Sequence, residues 1–288
     1  MSTTKFPDLV ELMARLRGPG SCPWDREQTY DTIKPFLLEE TYEVVDAIGR
    51  RDWDEFASEL GDLLLQVVFF AQMASEDGHF TIEDVIERIH SKMVRRHPHV
   101  FGDAKADSAS DVLRNWEFLK ANEKKERQAE QGKSFEPPKS VLEGVSASIP
   151  SLMQAYQLSS RAAHVGFDWK RLQDVLEKLR EETAELETAA ITQTIVAEHA
   201  AASKETVAEL HSKVENEVGD LLFTAVNVAR FLKVDPESAL RRTNQKFRRR
   251  FQWIEAELAK VGKAPRDSTL EEMDALWNRS KEAESNGD

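Results

Sequence analysis

Four carboxylates in the first third of the chain stand in pairs. Glu40 and Glu43 follow Glu39 in EETYE, and Glu59 and Asp62 follow in ELGD. The same pattern returns as EETAE, with Glu181, Glu182 and Glu185, and as EVGD, with Glu217 and Asp220. On a helix, residues three apart lie on one face, one turn from each other. Two such helices joined by a short turn and packed antiparallel would bring four carboxylates together. That much negative charge is costly away from water unless it is protonated, paired or bound to metal. An oxygen-only set without His or Cys suits hard divalent ions, Mg2+ first and Mn2+ as a substitute. A single ExxE is common on solvated helix faces. Here each one precedes an ExxD fused to an apolar run, LLLQVVFFAQ or LLFTAVNVAR, and this happens twice.

The elements that must carry these acids read as helices. Leu9, Leu12, Met13 and Leu16 keep helical spacing, and further helices are expected over 36–48, 53–74 and 81–96, the last opened by Thr81 as N-cap. In the second half the spacing predicts helices over 151–164, 172–190, 204–233 and 236–260. No segment shows strand alternation, so the expected class is all-α. Around the first ELGD helix, Leu60, Leu63, Leu64, Val67 and Ala71 make one apolar stripe, and Leu65, Phe69, Phe70 and Met73 fill most of the remaining circumference. Glu59, Asp62 and Gln66 are thereby expected to be partly enclosed, and Trp53 to join the core. Gly61 and its repeat Gly219 are expected to permit close approach of the facing backbone.

Repetition fixes the organisation. KMVRRH from Lys92 is echoed by KFRRRF from Lys246, and Trp116 by Trp277, in the same order as the acidic motifs. Two copies indicate a duplicated domain rather than a solenoid. The expected boundaries are an N-terminal helical-bundle domain over 1–122, a charged, Gln-rich linker over 123–140 and a second bundle over 141–288. The offset between copies is 142 residues from Glu39 to Glu181 but 158 from Glu59 to Glu217, so the second copy holds 16 extra residues between its motifs. They are expected in TAAITQTIVAEHAAASK, lengthening the helices or their connection.

Bulk properties exclude several classes. A net charge of −13 disfavours a nucleic-acid polymer as partner, because phosphate backbones select clustered Lys and Arg. One cysteine, Cys22, rules out an intrachain disulfide and a cysteine metal cluster, which fits a reducing, cytoplasmic setting. No apolar run reaches the roughly 18 uninterrupted residues expected of a membrane span, so no membrane association is expected.

GSCPWDREQTYDTIKPFLLEETYEV, ELGDLLLQVVFFAQMA, RRHPHVFGD and VGFDW together resemble the MazG nucleoside triphosphate pyrophosphohydrolases, of the all-α NTP pyrophosphatase superfamily, from about Leu9 to Trp277. The resemblance implies helical bundles that pair as homodimers, Mg2+ dependence, and hydrolysis of NTPs and dNTPs to monophosphate and pyrophosphate. It also implies nucleotide contacts at Lys178, Glu181, Lys213, Lys246, Arg250 and Trp277, with Glu182, Glu185, Glu217 and Asp220 as the catalytic, metal-holding acids. The chemistry is coherent, since a triphosphate approaches a carboxylate cluster only through bridging cations, and one carboxylate could orient or deprotonate the attacking water.

Through the repeat offsets, Phe36 and Glu55 stand in the N-terminal half where Lys178 and Lys213 stand in the C-terminal half. Phosphate capture relies on cations, so the C-terminal site is expected to be the principal one. Glu39, Glu40, Glu43, Glu59 and Asp62, with Lys92 and Arg96, would form a degenerate or differently selective second site. A specialised pyrophosphatase for dUTP-like or damaged nucleotides, and a non-catalytic nucleotide- or partner-binding regulator, are the alternatives. His97 and His99 flank Pro98 and read as a helix exit, and the single ExxH of Glu87 and His90 lacks the second copy that a di-iron bundle needs.

Overall fold

The computed structural model describes residues 4–103, 140–198 and 203–285. The chain divides into two compact units, Met1–Glu136 and Pro137–Asp288. In the first, α1 (Phe6–Arg17), α2 (Pro23–Glu27), α3 (Tyr30–Arg50), α4 (Trp53–Glu76), α5 (Ile82–Arg96) and α6 (Pro98–Phe101) follow in order. The second holds α7 (Ser151–His164), α8 (Leu172–Glu198), α9 (Lys204–Phe231), α10 (Pro236–Lys260), a 3-10 turn (Pro265–Asp267) and α11 (Leu270–Ser285). Every regular element among the described residues is helical. Trp116 and nearly all of 123–140 lie outside those residues.

Each unit is built on one long helical hairpin, α3 with α4 and α8 with α9. Local chemistry sets the ends. Thr29 caps α3 by accepting a hydrogen bond from the Thr32 amide, and Asp52 does the same for α4 from the Glu55 amide at 3.2 Å. Between these helices Arg51 takes the left-handed conformation, φ 59°, which turns the chain in two residues. Thr81 and Asp84 form a reciprocal capping box at the start of α5, and Asp235 caps α10 from the Ser238 amide at 2.8 Å. At the other end of α5, His97 Nδ1 lies 2.7 Å from the Met93 carbonyl oxygen, so this histidine closes the helix.

Packing corrects the pattern read from α4. Met13, Ile33, Val68, Phe69 and Met73 form the buried cluster, flanked by Leu9, Val10, Leu65 and Phe70. Leu60, Leu64 and Val67, expected in the core, are instead about two-fifths exposed, and Trp53 is 61% exposed. A helix apolar nearly all round does not show in its sequence which side meets its neighbours, and α1 and α3 decide it. By length and composition alone α4 could cross a membrane, yet here it is packed by α1, α3 and α5. Gly61 and Gly219 do not serve close backbone approach, because a Cβ at either would meet nothing within 4 Å.

α3 and α11 depart from expectation, whereas the lengthened second hairpin is one of the two outcomes expected. α3 starts at Tyr30 and runs through Pro35, because the Thr29 cap fixes its first turn upstream of the proline. α11 was not anticipated as a helix. The extra residues of the second copy extend the hairpin, with α8 continuing 13 residues past Glu185 where α3 continues 7 past Glu43. Likewise α9 begins 13 residues before Glu217 where α4 begins 6 before Glu59.

Candidate active site

Glu182 on α8 and Glu217 and Asp220 on α9 each offer a carboxylate oxygen, and the three lie within 4.8 Å of one another. Glu182 is the most enclosed, only 5% exposed, whereas Asp220 faces solvent. The hairpin brings them together: Glu217 and Asp220 are one turn apart on α9, and α8 returns Glu182 to the same level. Beside them, Lys178 Nζ lies 2.7 Å from Glu182 Oε1 and 2.8 Å from Glu181 Oε1. Those two carboxylates, Glu181 foremost, raise the lysine's pKa and keep it charged. Glu185, placed with the acids by sequence, is exposed and stands outside the three that converge.

The equivalent place in the first unit is occupied differently. Glu40 and Glu43 on α3 and Glu59 on α4 bring oxygens within 4.8 Å of one another, and Asp62 is not among them. Four convergent carboxylates were expected in each half; three converge in each, and they are not the equivalent three. No lysine enters the first cluster from the position matching Lys178. There Phe36 meets Trp24 edge to face, with ring centres 6.1 Å apart. Without that cation the acids bear on one another. Desolvation, then Glu43, Glu55 and Asp62, push Glu59 up to about 7, and desolvation with Asp62, Glu43 and Glu39 raises Glu40.

Arg250 and Trp277 belong to a second group, on α10 and α11. Arg250 Nε donates to Glu284 Oε2 at 2.8 Å, Arg249 Nε donates to Glu284 Oε1 at 2.7 Å, and the Arg250 guanidinium lies 5.6 Å from the Trp277 ring centre. Phe247 also packs on Trp277, with ring centres 5.3 Å apart. Lys246 is exposed on α10, and Lys213 is exposed on α9 one turn before Glu217. In the first unit Glu39 is exposed, and Lys92 and Arg96 are part-buried on α5. Sequence reasoning missed Glu284 and Phe247. Phe247 could have been found from its helical spacing to Phe251, on which it stacks, whereas nothing in the chain marks Glu284.

VGFDW has a structural task. Asp168 accepts two hydrogen bonds from Arg230 of α9, at 3.0 and 2.5 Å, so the turn before α8 is tied to the helix that bears Glu217 and Asp220. Arg230 in turn contacts Asn227, which is fully buried.

The donor set fits a hard divalent ion. Opposite ligands of Mg2+ are separated by about 4.2 Å, comparable with the spread of the three oxygens, and each ligand is an oxygen.

A duplicated all-α hairpin bundle with paired acids on facing helices defines the class. Residues 28–101 and 170–254 each match the family described as the MazG nucleotide pyrophosphohydrolase domain. The chain is 43% identical over 277 residues to the nucleoside triphosphate pyrophosphohydrolase of Escherichia coli K12, an alignment spanning 96% of this chain and 97% of that one. It is 41% identical over 276 residues to the nucleoside triphosphate pyrophosphohydrolase/pyrophosphatase MazG of Thermotoga maritima, covering 96% and 95%. The chain belongs to the MazG nucleotide pyrophosphohydrolase family.

Proposed function

We propose that the protein hydrolyses nucleoside triphosphates, NTPs and dNTPs alike, at the α–β phosphate bond to give a monophosphate and pyrophosphate, with its principal site in the second unit. The observation that carries this reading is the convergence of Glu182, Glu217 and Asp220 beside the cation Lys178. Mg2+, or Mn2+ in its place, would be held by these three carboxylates and would supply charge neutralisation for the triphosphate and a lowered pKa for the attacking water. Lys178 and Lys213 take phosphate oxygens, and Lys246 and Arg250 extend the cationic side. Trp277, backed by Phe247, offers a face to the base. Glu185, on the same side of α8 as Glu182 one turn further, orients or deprotonates the water that attacks the α-phosphorus. The first unit, with Phe36 at the lysine position and Glu59 holding its proton to about pH 7, is the weaker or differently selective site.

The enzyme is further proposed to act as a cytoplasmic homodimer. Leu60 and Leu64 of α4 and their repeats Val218 and Leu222 of α9 are all 40% or more exposed. The same apolar face is thus left open in both copies, next to the acids, and a second chain would cover it. Light scattering on the purified chain tests the dimer. The activity is tested by product analysis over a panel of nucleotides with and without Mg2+. Monophosphate and pyrophosphate in equal amounts, dependent on the metal and lost in Glu182→Gln, are expected; release of orthophosphate, or unchanged turnover in that variant, refutes the assignment.

A further inference from the structure

Lys178 is in an unusual position for a residue whose task is to hold substrate phosphate. Its ammonium is already committed twice within the chain, to Glu181 and to Glu182, at 2.8 and 2.7 Å. The two acids differ. The Glu181 side chain is 57% exposed and can be solvated on its own, while that of Glu182 is 7% exposed and depends on a counter-charge. Glu182 is also the only acid that α8 contributes to the convergent set, opposite Glu217 and Asp220 of α9. The first unit supplies an internal comparison: Phe36 stands in place of the lysine, one turn before Glu40, and packs on Trp24.

We propose that Lys178 is a built-in counter-ion to Glu182 that competes with the divalent cation for that carboxylate and passes to a phosphate oxygen when metal and nucleotide bind together. The inference rests on the metal-holding role given above to Glu182, Glu217 and Asp220. Two cations facing one enclosed carboxylate repel each other. Metal alone is therefore held less tightly than the acids would permit. A triphosphate relieves the conflict by offering the ammonium a new anionic partner, so metal and nucleotide favour each other's binding, reciprocally. The side chain is 35% exposed on a four-carbon stem, which lets its head swing away from Glu182 without moving α8. At the matching position of the first unit Phe36 cannot act as such a counter-ion.

The test is Mn2+ titration by electron paramagnetic resonance on the full-length chain carrying Glu43→Gln and Glu59→Gln, which confines strong binding to the second unit. In that background Lys178→Met is expected to bind Mn2+ alone about fivefold more tightly, as loss of a competing ion pair predicts. At saturating Mn2+ it is expected to bind the non-hydrolysable α,β-methylene analogue of ATP about tenfold more weakly. Lys178→Arg, which keeps the charge, should return Mn2+ binding to the parent value, and Lys178→Gln should behave as the methionine variant. Mn2+ affinity unchanged or weakened in both neutral variants overturns the proposal. A parent whose Mn2+ binding survives Glu182→Gln with Asp220→Asn overturns the metal site itself, and the counter-ion role with it. Binding that is lost in that control yet indifferent to Lys178 refutes the counter-ion alone.

Discussion

Asp168→Asn probes the fastening between the VGFDW turn and the helix that carries two of the acids. Arg230 donates to both carboxylate oxygens of Asp168, and only 11% of the arginine side chain and 27% of the aspartate are exposed. The substitution keeps shape and removes charge, leaving an enclosed guanidinium with a neutral partner and the Asn227 oxygen at 3.2–3.3 Å. Breaking a fully buried pair costs about 3–5 kcal/mol and an exposed one about 1 kcal/mol or less. A pair enclosed on one side and a quarter open on the other should lie between, at about 2 kcal/mol. For a unit of this size that corresponds to a fall in Tm of roughly 4–8 °C. Calorimetry on the full-length chain at pH 7, watching the transition that Asp168→Asn shifts, reads it directly. The pH dependence gives a second handle. The Arg230 guanidinium holds the Asp168 carboxyl below its ordinary value, so the folded chain releases this proton more readily than the unfolded one. The stabilisation is complete above the unfolded value near pH 4 and is lost as pH falls through the lower folded value. The difference between wild type and variant must therefore shrink on acidification. A variant that melts within about 1 °C of wild type at pH 7, or a gap that does not narrow in acid, refutes the reasoning.

Asp220→Asn is expected to lower kcat/KM for ATP by about a hundredfold or more, while Asp62→Asn, outside its own cluster, changes it less than about threefold; steady-state pyrophosphate release measures both, and equal losses contradict the ranking of the two units. Glu59, raised from 4.5 to about 7, holds its proton more tightly in the folded state, so the stability of the first unit should fall as pH rises through that interval. Urea midpoints between pH 5 and pH 8 report this, and a rise over that range counts against the cluster's mutual repulsion. Arg17, 9% exposed, donates to Glu76 at 2.7 Å and lies 5.3 Å from the Phe69 ring centre. Arg17→Met should cost the first unit about 2–3 kcal/mol, read as a lower urea midpoint.

The sequence by itself determined the helical class, the duplication and the pairing of acids with apolar helices, because each of these is written in local spacing. ExxE and ExxD place their members on one helix face whatever surrounds them, and Thr81 and Asp235 announce helix starts through hydrogen bonds made within three residues. Even the position of the extra residues could be counted from the repeat offsets, whereas whether they lengthen the helices or their connection was left open. Tertiary structure decided what spacing leaves open. α4 is apolar on nearly every side, so only its packing partners settled that Val68, Phe69 and Met73 turn inward while Leu60 and Leu64 remain exposed. The depth at which two facing helices meet selected Glu182, Glu217 and Asp220 in one hairpin and Glu40, Glu43 and Glu59 in the other, although the motifs are the same. Lys178 beside Glu182 is compatible with its place one turn earlier on the helix, but the burial that makes that contact consequential comes from α9 lying across it.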